Sequence, residues 1–159
     1  MIKIKWPGKY FTFRRTVRSY ADKILTGSLL AIDPASGSSS MPGYALYEAG
    51  QLKERGVIDI ARGKSAQVRL SELFECMRED FPKVDVLAVE MLRGRMVSPT
   101  LHWATGVIVA ATDASVVVEV PIPFWKAIAK VTSDYIKSDD MDAALIGEVL
   151  IRLANEEED

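Results

Sequence analysis

Apolar and polar residues follow two different periods along the chain, and these periods predict its strands and helices. Short apolar or alternating runs predict strands at residues 29–32, 43–47, 55–60, 84–90 and 116–120, and alternation over residues 2–6 indicates an edge strand. Apolar residues at three- and four-residue steps predict amphipathic helices at residues 66–81 and 139–154, and roughly helical spacing predicts one further segment at residues 14–25. Residues 100–112 are apolar on nearly all sides, which predicts a helix that is deeply buried or forms half of a subunit interface. Short connections between the first three strands favour an antiparallel meander. We therefore predict an α/β fold: a mixed five-stranded sheet, with this meander plus parallel strands, flanked by helices.

Acidic residues follow two of the most apolar predicted strands. Asp33 ends the first strand and Glu90 ends the fourth. A charge at the end of a buried strand is unfavourable unless it is paired or used. Asp139 and Asp142 lie three positions apart at the start of the last helix, so they share one of its faces. Each acid alone has a structural explanation, such as a loop start, an arginine partner or the helix dipole. Together they indicate one site.

If these carboxylates converge, they cannot all stay ionised without a cation. Clustered carboxylate oxygens are the ligands that Mg²⁺ and Mn²⁺ prefer. Two such ions about 4 Å apart support in-line displacement at phosphorus. We therefore predict an Mg²⁺ site, in which Mn²⁺ would substitute.

Charge divides the chain into three parts. Residues 1–28 hold seven Lys and Arg against one acid, although the whole chain has a net charge of −2. This asymmetry predicts a basic N-terminal extension at 1–27, a single domain at 28–155 and an acidic tail at 156–159. The extension is either an arm that grips a nucleic-acid backbone or an amphipathic segment docked on its own domain or a partner subunit. The first interpretation uses Arg14, Arg15 and Arg18.

Several classes of protein do not fit the sequence. A single cysteine excludes a disulfide framework and a cysteine-based zinc site. No apolar run is long enough for a bilayer and no signal peptide opens the chain, so we expect a cytoplasmic protein with no membrane partner. No Gly-x-x-x-x-Gly-Lys-Ser/Thr motif is present, which argues against a nucleotide-binding loop.

An ordered set of segments carries a family resemblance. They are residues 30–36, 43–46, 86–90, 106–111 and 139–144. In this order, over roughly residues 28–154, the chain resembles the RuvC family of Holliday-junction resolvases in the RNase H superfamily. That family cuts branched DNA with divalent metal ions. The resemblance implies an RNase H-like fold and a structure-selective DNA endonuclease that hydrolyses phosphodiesters with two metal ions.

The resemblance also implies roles for particular residues. The family's catalytic, metal-binding acids fall on Asp33, Glu90, Asp139 and Asp142, with Asp140 as a rival for the third position. Lys126 matches the lysine near the scissile phosphate. The apolar helix at 100–112 matches the homodimer interface, which would let paired sites cut two strands of a branched DNA. Further candidates for contacts with nucleic acid are Arg93, Arg95 and Lys130.

The chain also departs from the family. The segment between the fifth strand and the final acids is much shorter here, and the family lacks the basic extension. In the family the longer segment carries basic residues near the DNA, so its shortening bears on junction selectivity more than on metal chemistry. Two alternatives stay open: an RNA-directed or less selective nuclease of the superfamily, and a catalytically idle binding or assembly module.

Overall fold

The computed structural model describes residues 3–34, 41–92 and 98–156. Within these ranges the strands are β1 (Ser28–Asp33), β2 (Gly43–Glu48), β3 (Gln51–Val57), β4 (Val84–Glu90) and β5 (Ala114–Val120). The helices are α1 (Phe11–Ser19), α2 (Ala21–Thr26), α3 (Ala66–Glu79), α4 (Pro99–Ala111), α5 (Ile122–Ala129) and α6 (Asp139–Asn155). None of the helices in the described part of the chain combines the length and the apolar character that crossing a bilayer would demand.

The described strands form one sheet in the order β3-β2-β1-β4-β5. Strands β1, β2 and β3 are an antiparallel meander, whereas β1 pairs with β4, and β4 with β5, in parallel. Helices α3 and α4 cover one face of the sheet, and α1, α2, α5 and α6 cover the other. The predicted mixed sheet flanked by helices is confirmed.

Burial on both faces explains why β1 reads as a continuous apolar run. Leu29 and Ala31 pack against the face that carries α6, whereas Leu30 and Ile32 pack against α3 and α4. All four side chains are fully buried. A strand in this position has no solvated face, so only its ends can carry charge without a buried partner.

Two local predictions are wrong. The third strand is Gln51–Val57 and not residues 55–60, and its side chains are almost all exposed. Ile58 and Ile60 produced the apolar signal, but they are buried in the connection after the strand. Residues 3–10 form no strand, although alternation around Trp6 indicated an edge strand there.

The N-terminal extension packs on its own domain. Phe13, Val17 and Ile24 are buried in the same core cluster as the sheet and α6. Arg14 forms an ion pair with Glu156, at 3.8 Å, while Arg15 and Arg18 are exposed. The docked interpretation therefore describes this segment, and contact with a nucleic-acid backbone stays a prediction for its exposed arginines.

Candidate active site

Parallel pairing of β1 and β4 brings the first two acids side by side. Ile32 lies opposite Val89 in this register, so Asp33 and Glu90 occupy neighbouring positions at the carboxyl ends of the two strands. Their carboxyl groups are within hydrogen-bonding reach of each other. The carboxyl edge of a parallel pair is where open α/β sheets place ligands.

A glycine lets the last helix begin against this edge. Gly43 pairs with Asp33 in the antiparallel register of β1 and β2. A Cβ at Gly43 would lie 2.0 Å from the carbonyl oxygen of Asp139, so any other residue would push the start of α6 away. Ser138 caps the helix by accepting a hydrogen bond from the backbone N–H of Met141. The first turn of α6 thus lies beside Asp33, and with it the predicted acids Asp139 and Asp142.

Electrostatics show that the four acids act on one another. Burial, together with charge repulsion from Glu90, Asp142 and Asp139, raises the pKa of Asp33 to about 8. Burial also raises the pKa of Glu90, against hydrogen bonding from Asp33. The pKa of Asp139 is raised by burial and by its acidic neighbours on the helix. We call Asp33, Glu90, Asp139 and Asp142 the acid cluster.

The structure separates Asp139 from its rival Asp140. Asp140 accepts a hydrogen bond from Ser138 at 2.8 Å and pairs with Arg55 at 3.6 Å. Asp139, in contrast, contributes to the raised pKa of Asp33. Asp139 is therefore the acid of this pair that faces the cluster.

Asp142 is the most deeply buried member of the cluster, with 5% of its surface exposed. Tyr135 donates a hydrogen bond from its hydroxyl to Oδ1 of Asp142 at 2.5 Å. Burial and this hydrogen bond raise the pKa of Tyr135 to about 12, so the hydroxyl keeps its proton at neutral pH. One oxygen of Asp142 is thus held in a fixed direction.

The donor set fits a divalent cation in its chemistry. Among the described residues, no lysine, arginine or histidine forms an ion pair with any member of the acid cluster. Oxygen-rich, unneutralised carboxylates of this kind suit Mg²⁺ or Mn²⁺. The ligand geometry is not preformed, because in the described ranges no three acidic, histidine or cysteine side chains are placed to hold an ion. Side-chain rotation of the cluster would have to accompany binding.

Basic residues predicted for nucleic acid lie in different places. Lys126 is exposed on α5, with Nζ 5.9 Å from the centroid of the Trp125 ring, and its charge helps to lower the pKa of Glu90. Lys130 follows one turn later and is exposed. Arg93 and Arg95 lie outside the described residues. Lys126 is therefore the predicted basic residue whose charge reaches the acid cluster.

Sequence reasoning missed two contacts to the cluster. Trp125 is packed in the core, with 8% of its surface exposed, but its indole also interacts with Glu90 and partly offsets the rise that burial causes in the pKa of that acid. Nε1 of Trp125 completes no hydrogen bond of good geometry with the described residues. The other contact is Tyr135, which lies outside any helical pattern. Neither residue carries a periodic signal, because both contacts depend on how α5 and α6 pack.

Comparison with known proteins adds a fold assignment. No known protein-family profile matches the chain, and no curated protein is significantly similar to it. Among solved structures, the chain is similar to T. thermophilus RuvC in complex with Holliday junction substrate. The two are 14% identical, the match covers 77% of this chain and 90% of that one, and the TM-score is 0.57. This likeness shows that the protein has an RNase H-like fold, which confirms the predicted fold class.

Proposed function

We propose that the chain is a RuvC-type, metal-dependent endonuclease that resolves four-way or branched DNA as a homodimer. The observation that carries this proposal is the acid cluster at the carboxyl edge of an RNase H-like sheet. Buried carboxylates that raise one another's pKa destabilise a fold, so their convergence needs a functional reason. Likeness to T. thermophilus RuvC in complex with Holliday junction substrate supports the same reading.

In this proposal Asp33, Glu90, Asp139 and Asp142 hold the metal ions. Bound Mg²⁺ would supply Lewis-acid stabilisation of the scissile phosphate and a more acidic attacking water. The acid cluster must lose the proton that Asp33 retains below a pH of about 8. Tyr135 orients Asp142, and Lys126 offers a positive charge to the phosphate on the side of Glu90.

An exposed apolar surface on α4 supports the proposed homodimer. Trp103 is 56% exposed and Val109 is 36% exposed on this helix, and Phe74 of α3 is 37% exposed beside it. Leu70, Phe74, Trp103 and Val107 line a shared groove between the two helices. Exposed apolar patches of this kind mark interaction surfaces. Helix Pro99–Ala111 corresponds to the predicted 100–112 interface.

Dimerisation can be measured directly. We expect the purified protein to sediment as a dimer in analytical ultracentrifugation, and Trp103→Glu to shift it to a monomer that stays folded by circular dichroism. Lys64→Glu, at an exposed position before α3, serves as the control. A monomeric unaltered protein would contradict the homodimer and leave the metal chemistry to be judged separately.

The activity test uses labelled substrates of different shape. The protein is incubated with a four-way junction, a linear duplex and an RNA–DNA hybrid of matched sequence, each with Mg²⁺ or with EDTA. We expect cleavage of the junction that requires Mg²⁺ and is lost in Asp33→Asn. Asp113→Asn, an exposed acid whose side chain is 75% accessible, should cleave like the unaltered protein.

Each other result points elsewhere. Cleavage of the hybrid without the junction would favour an RNA-directed nuclease of the superfamily. Cleavage of all three substrates would indicate a less selective nuclease. Metal-independent binding without cleavage would indicate a binding module in which the acids are idle.

A further inference from the structure

A cleft of about 700 Å³ opens between the N-terminal extension and α5. Its walls are residues 5–8 and Tyr10 on one side and Lys126 and Lys130 on the other, and Met91 and Pro121 contribute to its lining. Met91 directly follows Glu90, so the cleft begins beside the acid cluster. Its volume falls in the range of ligand sites, about 300–1,000 Å³.

The charge of this cleft is opposite to that of the acid cluster. Lys5, Lys126 and Lys130 line it, and no Asp or Glu of the described residues does so. Lys126 and Lys130 lie four positions apart, at the end of α5, and so share one side of the helix. Three ammonium groups with no lining acid favour a polyanion.

Aromatic packing fixes the N-terminal wall. The Trp6 ring stacks on Phe124, with centroids 5.6 Å apart and an angle of 25° between the planes. Tyr10 meets the same ring edge-on at 6.0 Å. Its backbone has φ 69°, in the left-handed region that residues other than glycine rarely adopt. Both aromatic rings also line the cleft, so they add flat apolar surface to its basic wall.

We propose that this cleft binds one unpaired strand of nucleic acid next to the scissile phosphate, with its lysines on the backbone and Trp6 and Tyr10 beside the bases. Basic grooves with aromatic rings bind single strands because any base can stack on an aromatic face. A base inside a duplex has both faces covered by its stacked neighbours and has none free to offer. The identification of the ligand as a nucleic-acid strand rests on the proposed function. The cleft is continuous with the acid cluster, and this favours a substrate strand over another polyanion.

Binding is tested apart from cleavage. Fluorescence anisotropy measures binding of a labelled oligothymidylate about 12 nucleotides long, within the usual range of single-strand site sizes. The titration is done in EDTA, and at several salt concentrations. We expect Lys5→Glu to weaken binding at least about tenfold and to lower the salt slope by about 0.7 for each lost phosphate contact.

Lys83→Glu is the matched control, because Lys83 is exposed and precedes β4, at the opposite end of the sheet from the cleft. It should change binding less than about twofold, as expected of general electrostatics alone. Equal weakening by both variants, or no binding by the unaltered protein, overturns the proposal. Trp6→Phe keeps a smaller ring on Phe124 and should weaken binding only about threefold, which is less than the loss of a whole stacking contact.

The two proposals fail differently. A protein that binds the oligothymidylate through Lys5 but cleaves no substrate contradicts the endonuclease and leaves the strand cleft standing. A protein that cleaves junctions equally well with and without Lys5→Glu, and binds the oligothymidylate equally well, contradicts the cleft alone.

Discussion

The parallel strands β1 and β4 carry acidic residues at both ends of the pair. Their surroundings shift the pKa of these acids in opposite directions at the two ends. At the start of the strands, Asp85 accepts hydrogen bonds from the backbone N–H and the hydroxyl of Ser28, at 2.9 and 3.2 Å. These bonds lower the pKa of Asp85. At the other end, Glu90 meets Asp33, and burial raises the pKa of both.

The same pair of strands therefore places a hydrogen-bonded carboxylate at one end and mutually repelling carboxylates at the other. Ser28 Oγ also accepts from the backbone N–H of Asp85, at 3.0 Å, so the first end is a closed hydrogen-bonded unit. The second end gains nothing for stability from its carboxylates, since they repel one another. Groups that destabilise a fold and yet converge are typical of functional sites.

The largest expected effect is on cleavage activity, which should depend on the acid at one end of the strand pair and not on the acid at the other. Glu90→Gln should reduce junction cleavage by about 1,000-fold or more, because it removes one of the charges proposed to hold the metal ions, and each tenfold loss corresponds to about 1.4 kcal/mol. Asp85→Asn should leave the rate of the folded protein nearly unchanged. Single-turnover cleavage of a labelled junction measures both. Equal losses in the two variants would contradict the division of roles.

A second variant tests how α6 reaches the acid end. Gly43→Ala places a methyl group against the backbone of Asp139, so the first turn of the helix must shift. We expect about 100-fold slower cleavage, since misplacement by about 1 Å can have that effect. Gly147→Ala is the control, because it crowds the Tyr47 ring farther along the same helix. If cleavage per folded molecule falls equally in both variants, Gly43 has no special part in placing the acids.

Tyr135→Phe removes the hydrogen bond to Asp142 and keeps the ring. We expect the Mg²⁺ concentration for half-maximal cleavage to rise about tenfold, as for other groups that orient metal ligands. Thermal unfolding in EDTA should change little. Tyr20→Phe, in a partly buried tyrosine of the N-terminal extension, is the control. An unchanged Mg²⁺ dependence would show that Asp142 needs no such support.

The smallest effect concerns stability against pH. A raised pKa at Asp33 means that the folded state holds this proton more tightly than the unfolded chain, whose value is near 3.8. The contribution of Asp33 is therefore fully present at low pH and is lost as pH rises from about 4 to 8. Asp33→Asn should therefore raise the free energy of unfolding in EDTA, and by more at pH 8 than at pH 5. Chemical denaturation measures this change.

Asp85 should show the opposite slope. Its pKa is lowered in the folded state, so its contribution is present at neutral pH and is lost as pH falls through the folded value. Asp85→Asn should therefore destabilise the protein most at neutral pH and least in acid. If the change in unfolding free energy follows pH in the same direction in Asp33→Asn and Asp85→Asn, the two ends of the strand pair do not differ as described.

The residues of the acid cluster could largely be predicted from the sequence, because strands buried on both faces carry charge only at their ends. Asp33 and Glu90 each follow an apolar run, and the spacing of Asp139 and Asp142 placed them on one helix face. The sequence did not show which of Asp139 and Asp140 faces the cluster. This choice depends on Arg55, which forms an ion pair with Asp140 and lies on β3, far from Asp140 in the sequence.

Prediction failed where packing overrides local pattern. Strand β3 lies at the sheet edge with its side chains exposed, so it lacks the apolar alternation by which strands are recognised. The N-terminal helices were predicted as one segment, but the chain breaks at Tyr20 and forms α1 and α2 separately. Contacts of Tyr135 and Trp125 with the acid cluster have no counterpart in residue spacing.

The burial of Phe13, Val17 and Ile24 has a practical consequence for making the protein. A shortened version starting at residue 28, the predicted domain boundary, would uncover the apolar surface that these side chains now seal. Such a truncation should aggregate during expression, even though it keeps every residue of the acid cluster. Engineering of this protein should therefore treat the N-terminal extension as an integral part of its hydrophobic interior and place affinity tags outside it.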